Sequence, residues 1–406
     1  MRRQLKHSFT WLWLMPLAAC APARPAAGQV RPGIEVLLSD SIHLVRGRRL
    51  GILTNQTGVD RAQASDVDLV RRAGLNLTAI FSPEHGFRGN LDRENIGNTV
   101  DSATGVPIYS LYGTVRAPTK EMLDRIDVLL IDLQDIGART YTYISTTLLA
   151  LRSAKAEGKT VLVLDRPDPI GGALVQGPMM DTAFASFVGM LPVPLRHGLT
   201  HGELARFGNA RLGIGASLVV IPAAGWQRSQ WFDATGLHWI KPSPNMPDLE
   251  SATHYPGIVL FESTNLSVGR GTPIAFQVIG APWLDAAQVR MAVGDIPGVA
   301  IADTTVTPRA PGDAKYADKE IEALRFTVTD RSVYDPTRLA VHLLTAIRRT
   351  HPDSLKINDR SLAERAGSNL LKASIDAGTP PDGIWSAWKS GVERFRVERQ
   401  EFLVYP

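Results

Sequence analysis

Short apolar runs alternate with polar, helix-like stretches from about residue 34 to residue 250. Five runs rich in Val, Ile and Leu predict strands at 49–55, 75–82, 106–112, 126–133 and 159–165, and 217–226 is a sixth candidate. Helices are predicted between them at about 65–73, 119–125, 144–157 and 200–212. The strand segments show little polar alternation, which is typical of strands covered on both faces. The pattern therefore predicts an α/β fold, a parallel sheet with helices on both faces.

The pattern changes after a proline-rich segment at 241–257, which predicts a loop and a domain boundary. Beyond it, strands are predicted near 258–261, 274–279 and 323–329, and helices near 285–293, 335–350 and 359–375. We therefore divide the folded chain into a domain at 34–250 and a smaller α+β domain at 251–406. A chain of 406 residues is long enough for two domains, each with its own core.

The N-terminus has the features of an export signal. Three basic residues precede a short apolar run that ends in LAAC, Leu17 to Cys20, which resembles the lipobox of bacterial lipoproteins. We predict a lipoprotein signal peptide at 1–20, lipidation of Cys20 and a flexible tether at 21–33. The protein would then be exported and lipid-anchored, at the periplasmic face of the outer membrane in a Gram-negative host, because Asp does not follow Cys20. The alternative is an ordinary cleaved signal with a chance cysteine.

Charge and motif content exclude several classes of protein. The net charge is +4, and residues 1–20 supply three basic residues and no acids, so the remainder carries 4 − 3 = +1. With no run of Lys and Arg, nucleic acid is not an expected partner. The glycine motifs of dinucleotide and nucleotide sites are missing, as is the G-x-S-x-G of α/β-hydrolases, so no cofactor is predicted.

Polar residues follow the predicted strands of the first domain where each strand ends. They are Asn55, Glu84, His85, Asp132, Asp135, Asp165 and Arg166. In open α/β sheets, ligands bind beyond the carboxyl ends of the strands, so we expect these side chains to share one polar crevice. The alternative for each is a structural role, since Asp and Asn commonly begin turns or cap helices.

Glu84, in the segment FSPEHGFRG, is the strongest candidate for a catalytic residue. Glutamate is rarely a turn residue, so the turn between Pro83 and Gly86 does not explain it, and a carboxyl group there suits a general acid. The alternative is a structural ion pair with Arg88 or Arg93. His85 can orient Glu84, bind substrate or be structural.

Two further segments carry candidate residues. HGLTHGE, 197–203, has metal-like His spacing, but Thr200 and Glu203 fit a capping box that starts a helix after His197, so no metal site is predicted. His201 can still touch a substrate at the helix N-terminus.

FESTNLSVGRGT, 261–272, places Glu262, Asn265 and Arg270 among small residues. Arg270 can offer a paired donor to a carboxylate, or it can be a structural arginine.

Taken together, these motifs resemble the NamZ-type exo-β-N-acetylmuramidases of bacterial peptidoglycan turnover (glycoside hydrolase family 171). The matching segments span about residues 34–406 and include GILTNQTGVD, FSPEHGFRG, DVLLIDLQDIGARTYTY, VLDRPDPIGG, LPVPLRHGLTHGELA, PSPNMP and YPGIVLFESTNLSVGRGT. Asp168 and Ser263 stand where we would expect Asn and Gly. The resemblance implies a Rossmann-like N-terminal domain, a smaller C-terminal domain and an active cleft between them. It also implies release of N-acetylmuramic acid from non-reducing ends, with the key glutamate at Glu84.

A mechanism follows as a hypothesis. Glu84 would be the general acid and base, and the second role would fall to Asp132, to Glu262 or to the substrate's own acetamide group. Arg270, Arg88 or Arg139 would hold the lactyl carboxylate of the sugar. The full set of predicted substrate-binding residues is Asn55, His85, Arg88, Arg139, Asp165, His201, Asn265 and Arg270. The alternatives are a metal-dependent esterase or amidase at His197 and His201, and a non-catalytic lipoprotein that binds cell-wall sugars.

Overall fold

The structure is a computed structural model that describes residues 29–89 and 97–406. The predicted signal peptide, Cys20 and Arg93 lie outside these residues. The strands are β1 (Arg49–Thr54), β2 (Asn76–Ser82), β3 (Thr99–Val100), β4 (Pro107–Ser110), β5 (Val128–Asp132), β6 (Thr160–Leu164), β7 (Gln176–Met179), β8 (Pro194–Arg196), β9 (Leu218–Ile221), β10 (Val278–Ala281), β11 (Val299–Val306) and β12 (Ile321–Val328).

Helices connect these strands and dominate the C-terminal third of the chain. They are α1 (Gly33–Asp40), α2 (Asp66–Arg72), α3 (Lys120–Leu123), α4 (Tyr143–Ala156), α5 (His201–Arg211), α6 (Leu249–Ile258), α7 (Ala286–Val293), α8 (Pro336–Thr350), α9 (Asp359–Ala366), α10 (Leu370–Asp376), α11 (Pro381–Ala387) and α12 (Lys389–Glu398). None of the helices in the described chain is long and apolar enough to cross a membrane.

The first domain is built on a sheet that the described residues form in the order β3-β4-β2-β1-β5-β6-β9. Every pairing in it is parallel except that of the short β3 with β4. Successive strand residues point to opposite faces: Leu53 packs in the core under α4 and α5, whereas Ile52 packs under α1 and α2. The predicted α/β fold with helices on both faces is confirmed.

The second domain contains an antiparallel sheet of order β10-β12-β11, with α7 and α8 packed nearby, and it is of the predicted α+β type. The prediction of a strand at 258–261 is wrong, because α6 runs to Ile258 and a 3₁₀ turn at Val259–Ser263 follows it. The helix starts inside the predicted loop because the Asp248 side chain accepts a hydrogen bond from the backbone N–H of Ser251. Pro256 lies in the last turn of this helix, where it has no N–H to donate to the carbonyl of Ala252.

The last residues assigned to the tether belong to the fold instead. Val30 is buried and packs with Trp226 and Tyr405, and its N–H donates to the carbonyl of Thr235 at 3.0 Å. Gly33 begins α1 against the backbone of Asp165, where an added Cβ would lie 2.5 Å from that residue's nitrogen. Residues 29–33 are therefore fixed by an apolar contact and by backbone packing that their composition does not reveal.

The crossing of α6 and α8 gives a test of the fold. A Cβ on Gly257 would lie 1.9 Å from the carbonyl oxygen of Pro336, so Gly257→Ala must push the two helices apart. We expect a loss of about 1–3 kcal/mol in the free energy of unfolding. Gly383→Ala in α11 is the matched control, because its new methyl group would meet only the Thr379 side chain, at 3.5 Å. Equal urea midpoints for the two variants would contradict this packing.

Candidate active site

A cleft of about 410 Å³ lies between the two domains and is lined by residues of both. The first domain contributes Glu84, His85, Thr142 and three tyrosines, and the second contributes Glu262, Arg270, Asp313, Lys315 and Arg365. Of the residues predicted from sequence, Glu84, His85, Glu262 and Arg270 are thus brought together in one place.

Glu84 reaches the cleft because β2 ends at Ser82 and the chain then turns sharply. The turn is closed by a 3.0 Å hydrogen bond from the Gly86 N–H to the Pro83 carbonyl, and His85 has a positive φ of 71°. A left-handed conformation is uncommon for a residue other than glycine and is typical of strained functional turns. The Oε2 atom of Glu84 accepts a 2.5 Å hydrogen bond from the Thr142 hydroxyl group. Thr142 therefore fixes the direction in which the Glu84 carboxyl group points.

A wall of tyrosine rings stands beside Glu84. The rings of Tyr141 and Tyr143 have centroids 4.9 Å apart, and Tyr255 packs edge-on against Tyr141 at 5.8 Å. Burial raises the pKa of Tyr143, and the nearby Glu84 carboxylate raises it further, so the phenol stays protonated. The three rings are at most 7% exposed, so they give the cleft a rigid aromatic lining beside Glu84.

Glu262 lies in the cleft between two arginines. Its Oε1 accepts hydrogen bonds from Arg270 Nε at 2.8 Å and Nη2 at 2.5 Å, and its Oε2 lies 3.4 Å from Arg365 Nη2. Burial tends to raise the pKa of Glu262, but the charges of Arg270 and Arg365 together bring it below its ordinary value. Glu262 is therefore an ionised carboxylate with both oxygen atoms engaged.

Two predicted residues at strand ends lie behind the cleft. Asp132 is fully buried and paired with Arg166, with a 2.5 Å contact from Nε to Oδ1. Asn55 is also buried, where its Nδ2 donates to the Tyr143 hydroxyl at 2.9 Å and its Oδ1 accepts from Thr57. The prediction that Asp132 reacts and Asn55 binds sugar is corrected, because both side chains are buried and engaged by these partners.

Asp165 and His201 anchor helix α5. The Asp165 carboxylate accepts hydrogen bonds from Thr200 Oγ1 at 2.6 Å, from the Gly202 N–H at 2.8 Å and from the Tyr405 hydroxyl at 2.7 Å. His201 is the first residue of α5 and its Nε2 lies 2.9 Å from the Thr147 hydroxyl oxygen. Both side chains are buried outside the cleft. The prediction that Asp165 and His201 bind the substrate is therefore wrong.

Three other predicted binding residues also lie outside the cleft. Arg139 is buried and donates to the backbone carbonyls of Pro178, Val193 and Arg365. Asn265 joins two loop segments through the Ser354 carbonyl and the Lys356 N–H, each at 2.9 Å. The side chain of Arg88 is 73% exposed and lies 4.0 Å from Asp101 rather than in the lining of the cleft.

The donor geometry of His197 argues against a metal site at HGLTHGE. Its Nδ1 accepts a 3.1 Å hydrogen bond from the Leu199 N–H, and burial lowers the pKa of the imidazole to about 4. The neutral ring must then carry its proton on Nε2, which leaves no lone pair for a metal. The predicted capping box of Thr200 and Glu203 is present. Within the described residues, no group of three or more His, Cys, Asp or Glu side chains is arranged to hold a metal ion.

The sequence reasoning missed Thr142, Asp313, Lys315 and Arg365. The TYTY run was a usable signal for Thr142, because it follows β5, which ends at the same edge of the sheet as β2, the strand that leads to Glu84, with only β1 between them. Lys315 and Arg365 come from a loop and from the end of α9, far along the chain from Arg270. Nothing in their local sequence marks them.

The fold and the cleft define a two-domain α/β protein with a carboxylic acid, an aromatic wall and a cationic cluster at one site. A family model for the N-terminal domain of the exo-β-N-acetylmuramidase NamZ matches residues 50–250, and the model for its C-terminal domain matches residues 253–405. The chain therefore belongs to the NamZ exo-β-N-acetylmuramidase family, and the resemblance seen in the sequence is confirmed.

Known relatives agree with this assignment. The chain is 36% identical over 417 residues to the peptidoglycan β-N-acetylmuramidase NamZ of Bacillus subtilis (strain 168), with all of both chains covered. It is also similar to two crystal structures of DUF1343 family proteins from Bacteroides fragilis NCTC 9343. Their TM-scores are 0.86 and 0.72 at 32% and 30% identity, and each comparison covers 93% of this chain and 99% of the other.

The structural role of Asp165 predicts a pH dependence of stability. Burial raises the pKa of this carboxyl group from 3.8 to about 6, so the folded state holds its proton where the unfolded state has lost it. Its contribution to stability is full below pH 3.8 and is lost as the pH rises to about 6, a change of about 3 kcal/mol. Asp165→Asn cannot ionise, so its stability should fall less than that of the wild type across this interval, with sugar release retained.

Urea unfolding at several pH values between 4 and 7 measures the difference. Asp127→Asn is the control: hydrogen bonds from Arg49 lower the pKa of Asp127 to about 2, so it titrates below this window. Parallel stability curves for the wild type and Asp165→Asn would contradict the prediction.

Proposed function

We propose that this protein is an exo-acting glycoside hydrolase that releases N-acetylmuramic acid from the non-reducing ends of peptidoglycan fragments. Family membership supports the reaction class, and the relative from Bacillus subtilis is named for the same activity. The observation that carries the proposal is the position of Glu84, which lies in the open cleft with one carboxyl oxygen held by Thr142.

Glu84 is the general acid and then the general base of this reaction. A glycosidase must protonate the leaving oxygen while positive charge develops on the sugar ring. Thr142 occupies Oε2, so a proton on Glu84 resides on Oε1 and can be delivered from there. After the bond breaks, the carboxylate can take a proton from the incoming water.

The second catalytic role falls to Glu262 or to the acetamide group of the substrate. Asp132, the third candidate in the sequence, is sealed behind the cleft by its pair with Arg166. Glu262 is in the cleft and ionised, but Arg270 and Arg365 engage its oxygen atoms. This engagement favours participation by the substrate's own acetamide, which needs no second nucleophile from the protein.

Export and lipid anchoring form a separate part of the proposal. The basic, apolar and LAAC segments at residues 1–20 support attachment through Cys20, at the periplasmic face of the outer membrane if the host is Gram-negative. Labelling of cells with a fatty-acid analogue tests this, because Cys20→Ala should abolish incorporation. Label retained by that variant would contradict the lipobox assignment.

Product analysis on a disaccharide with a non-reducing N-acetylmuramic acid tests the activity. We expect the wild type to release both sugars, and Glu84→Gln to lower turnover by about 10²–10⁴-fold, because the amide cannot donate the acid proton. Glu121→Gln, an exposed change on α3, is the matched control and should retain wild-type turnover. Near-normal rates for Glu84→Gln with an intact fold would contradict the assigned role.

A further inference from the structure

The wall of the cleft formed by the second domain carries more positive than negative charge. Arg270, Lys315 and Arg365 lie there with Glu262 and Asp313, so the cluster has a formal charge of +1 when all five groups are ionised. The Arg270, Lys315 and Arg365 side chains are only 21%, 20% and 19% exposed. Partly buried charges interact more strongly than surface charges, so an excess cation at this position favours an anionic ligand.

Lys315 has donor capacity left after its contacts with the protein. Its Nζ donates to the Leu266 carbonyl at 3.0 Å and lies 3.4 Å from the Glu262 carbonyl. The Oδ2 atom of Asp313 is 3.8 Å from this ammonium group, beyond hydrogen-bonding distance. An ammonium group has three donors, so one is available to a ligand in the cleft.

Arg365 is held in place from two sides. Its backbone carbonyl accepts a 2.7 Å hydrogen bond from buried Arg139, and its Nη1 donates to the Ser361 hydroxyl at 2.6 Å. The contact of its Nη2 with Glu262 is long, at 3.4 Å. The guanidinium group is thus positioned by the protein while its charge is incompletely balanced by a short ion pair.

The loop that presents Lys315 has a strained backbone. Ala310, Ala314, Tyr316 and Asp318 have φ values of 42°, 56°, 53° and 59°. A left-handed conformation costs roughly 1–2 kcal/mol for an ordinary residue, so the surrounding structure must stabilise this loop. The Tyr316 hydroxyl does so by donating to the Asn265 carbonyl at 2.6 Å. Backbone strain that is held in place beside a cleft is a common feature of ligand-binding segments.

We propose that Lys315 and Arg365, together with Arg270, form the subsite that binds the lactyl carboxylate of N-acetylmuramic acid. This inference rests on the proposed function for the identity of the sugar. The carboxylate would take the available donor of Lys315 and a guanidinium donor of Arg365, and it would bring the cluster to neutrality. N-acetylglucosamine lacks the lactyl group and leaves these charges unbalanced, so the subsite discriminates between the two sugars.

Calorimetric titration of the full chain tests the subsite without requiring turnover. The ligands are N-acetylmuramic acid and its lactyl amide, which keeps the shape of the group and removes its charge. We expect the wild type to bind the acid more tightly than the amide. Lys315→Met and Arg365→Gln should each weaken binding of the acid by about 10- to 100-fold, the range for a hydrogen bond to a charged group, and should leave the affinity for the amide little changed.

Arg309→Gln is the matched control, because it removes a cation from the same loop at a side chain that is 70% exposed and paired with Asp318. It should preserve wild-type discrimination. If Lys315→Met fails to fold, Lys315→Gln replaces it. Wild-type discrimination in both the Lys315 and Arg365 variants, or equal affinity of the wild type for acid and amide, would overturn the subsite. A wild type that discriminates the ligands but releases no sugar would contradict only the proposed function.

Discussion

The two walls of the cleft depend on one buried guanidinium group, that of Arg139. It donates to carbonyls on three separate segments: those of Pro178 and Val193 in the first domain, and that of Arg365 in the second. Burial lowers the pKa of Arg139 to about 9, because a charge away from water is unfavourable. A buried cation is tolerated when hydrogen bonds replace its hydration, so the three carbonyls must stay where they are. Thr142, which holds Glu84, is only three residues from Arg139 along the chain, so the same anchor fixes both sides of the site.

Other buried polar groups hold the first domain together outside the cleft. Asp132 pairs with Arg166, and Arg399 near the C-terminus donates to the carbonyls of Gly172 and Gly198. The Tyr405 hydroxyl donates to Asp165, which joins the last residues of the chain to the first sheet. The edge of a parallel sheet therefore carries two sets of polar side chains. One set forms hydrogen bonds and ion pairs within the fold. The other set, which includes Glu84, remains accessible to a ligand.

This division explains what the sequence can and cannot predict. Apolar runs located the main parallel strands, because such strands need continuous burial and have few alternatives. The SPEHG segment identified Glu84, because a glutamate in a glycine-proline turn has no structural reason to be there. Polarity at a strand end could not distinguish Asp132 or Asp165 from Glu84, since the difference lies in whether a later loop covers the side chain. The positions of Lys315 and Arg365 in the cleft could not be predicted from the sequence, because these residues approach Arg270 only through the packing of α9 and of a strained loop.

The proposed subsite gives Glu262 a role that differs from direct reaction. Arg270 and Arg365 both approach Glu262, so their positive charges would repel each other if no negative charge lay between them. Lys315 would add to this repulsion. Glu262 contacts both arginines through separate oxygen atoms and is kept ionised by their charges. Its single negative charge cannot balance three cations, and Asp313 supplies only one more. On this reasoning Glu262 organises the cluster and leaves it one charge short, and the substrate carboxylate supplies that charge when it binds.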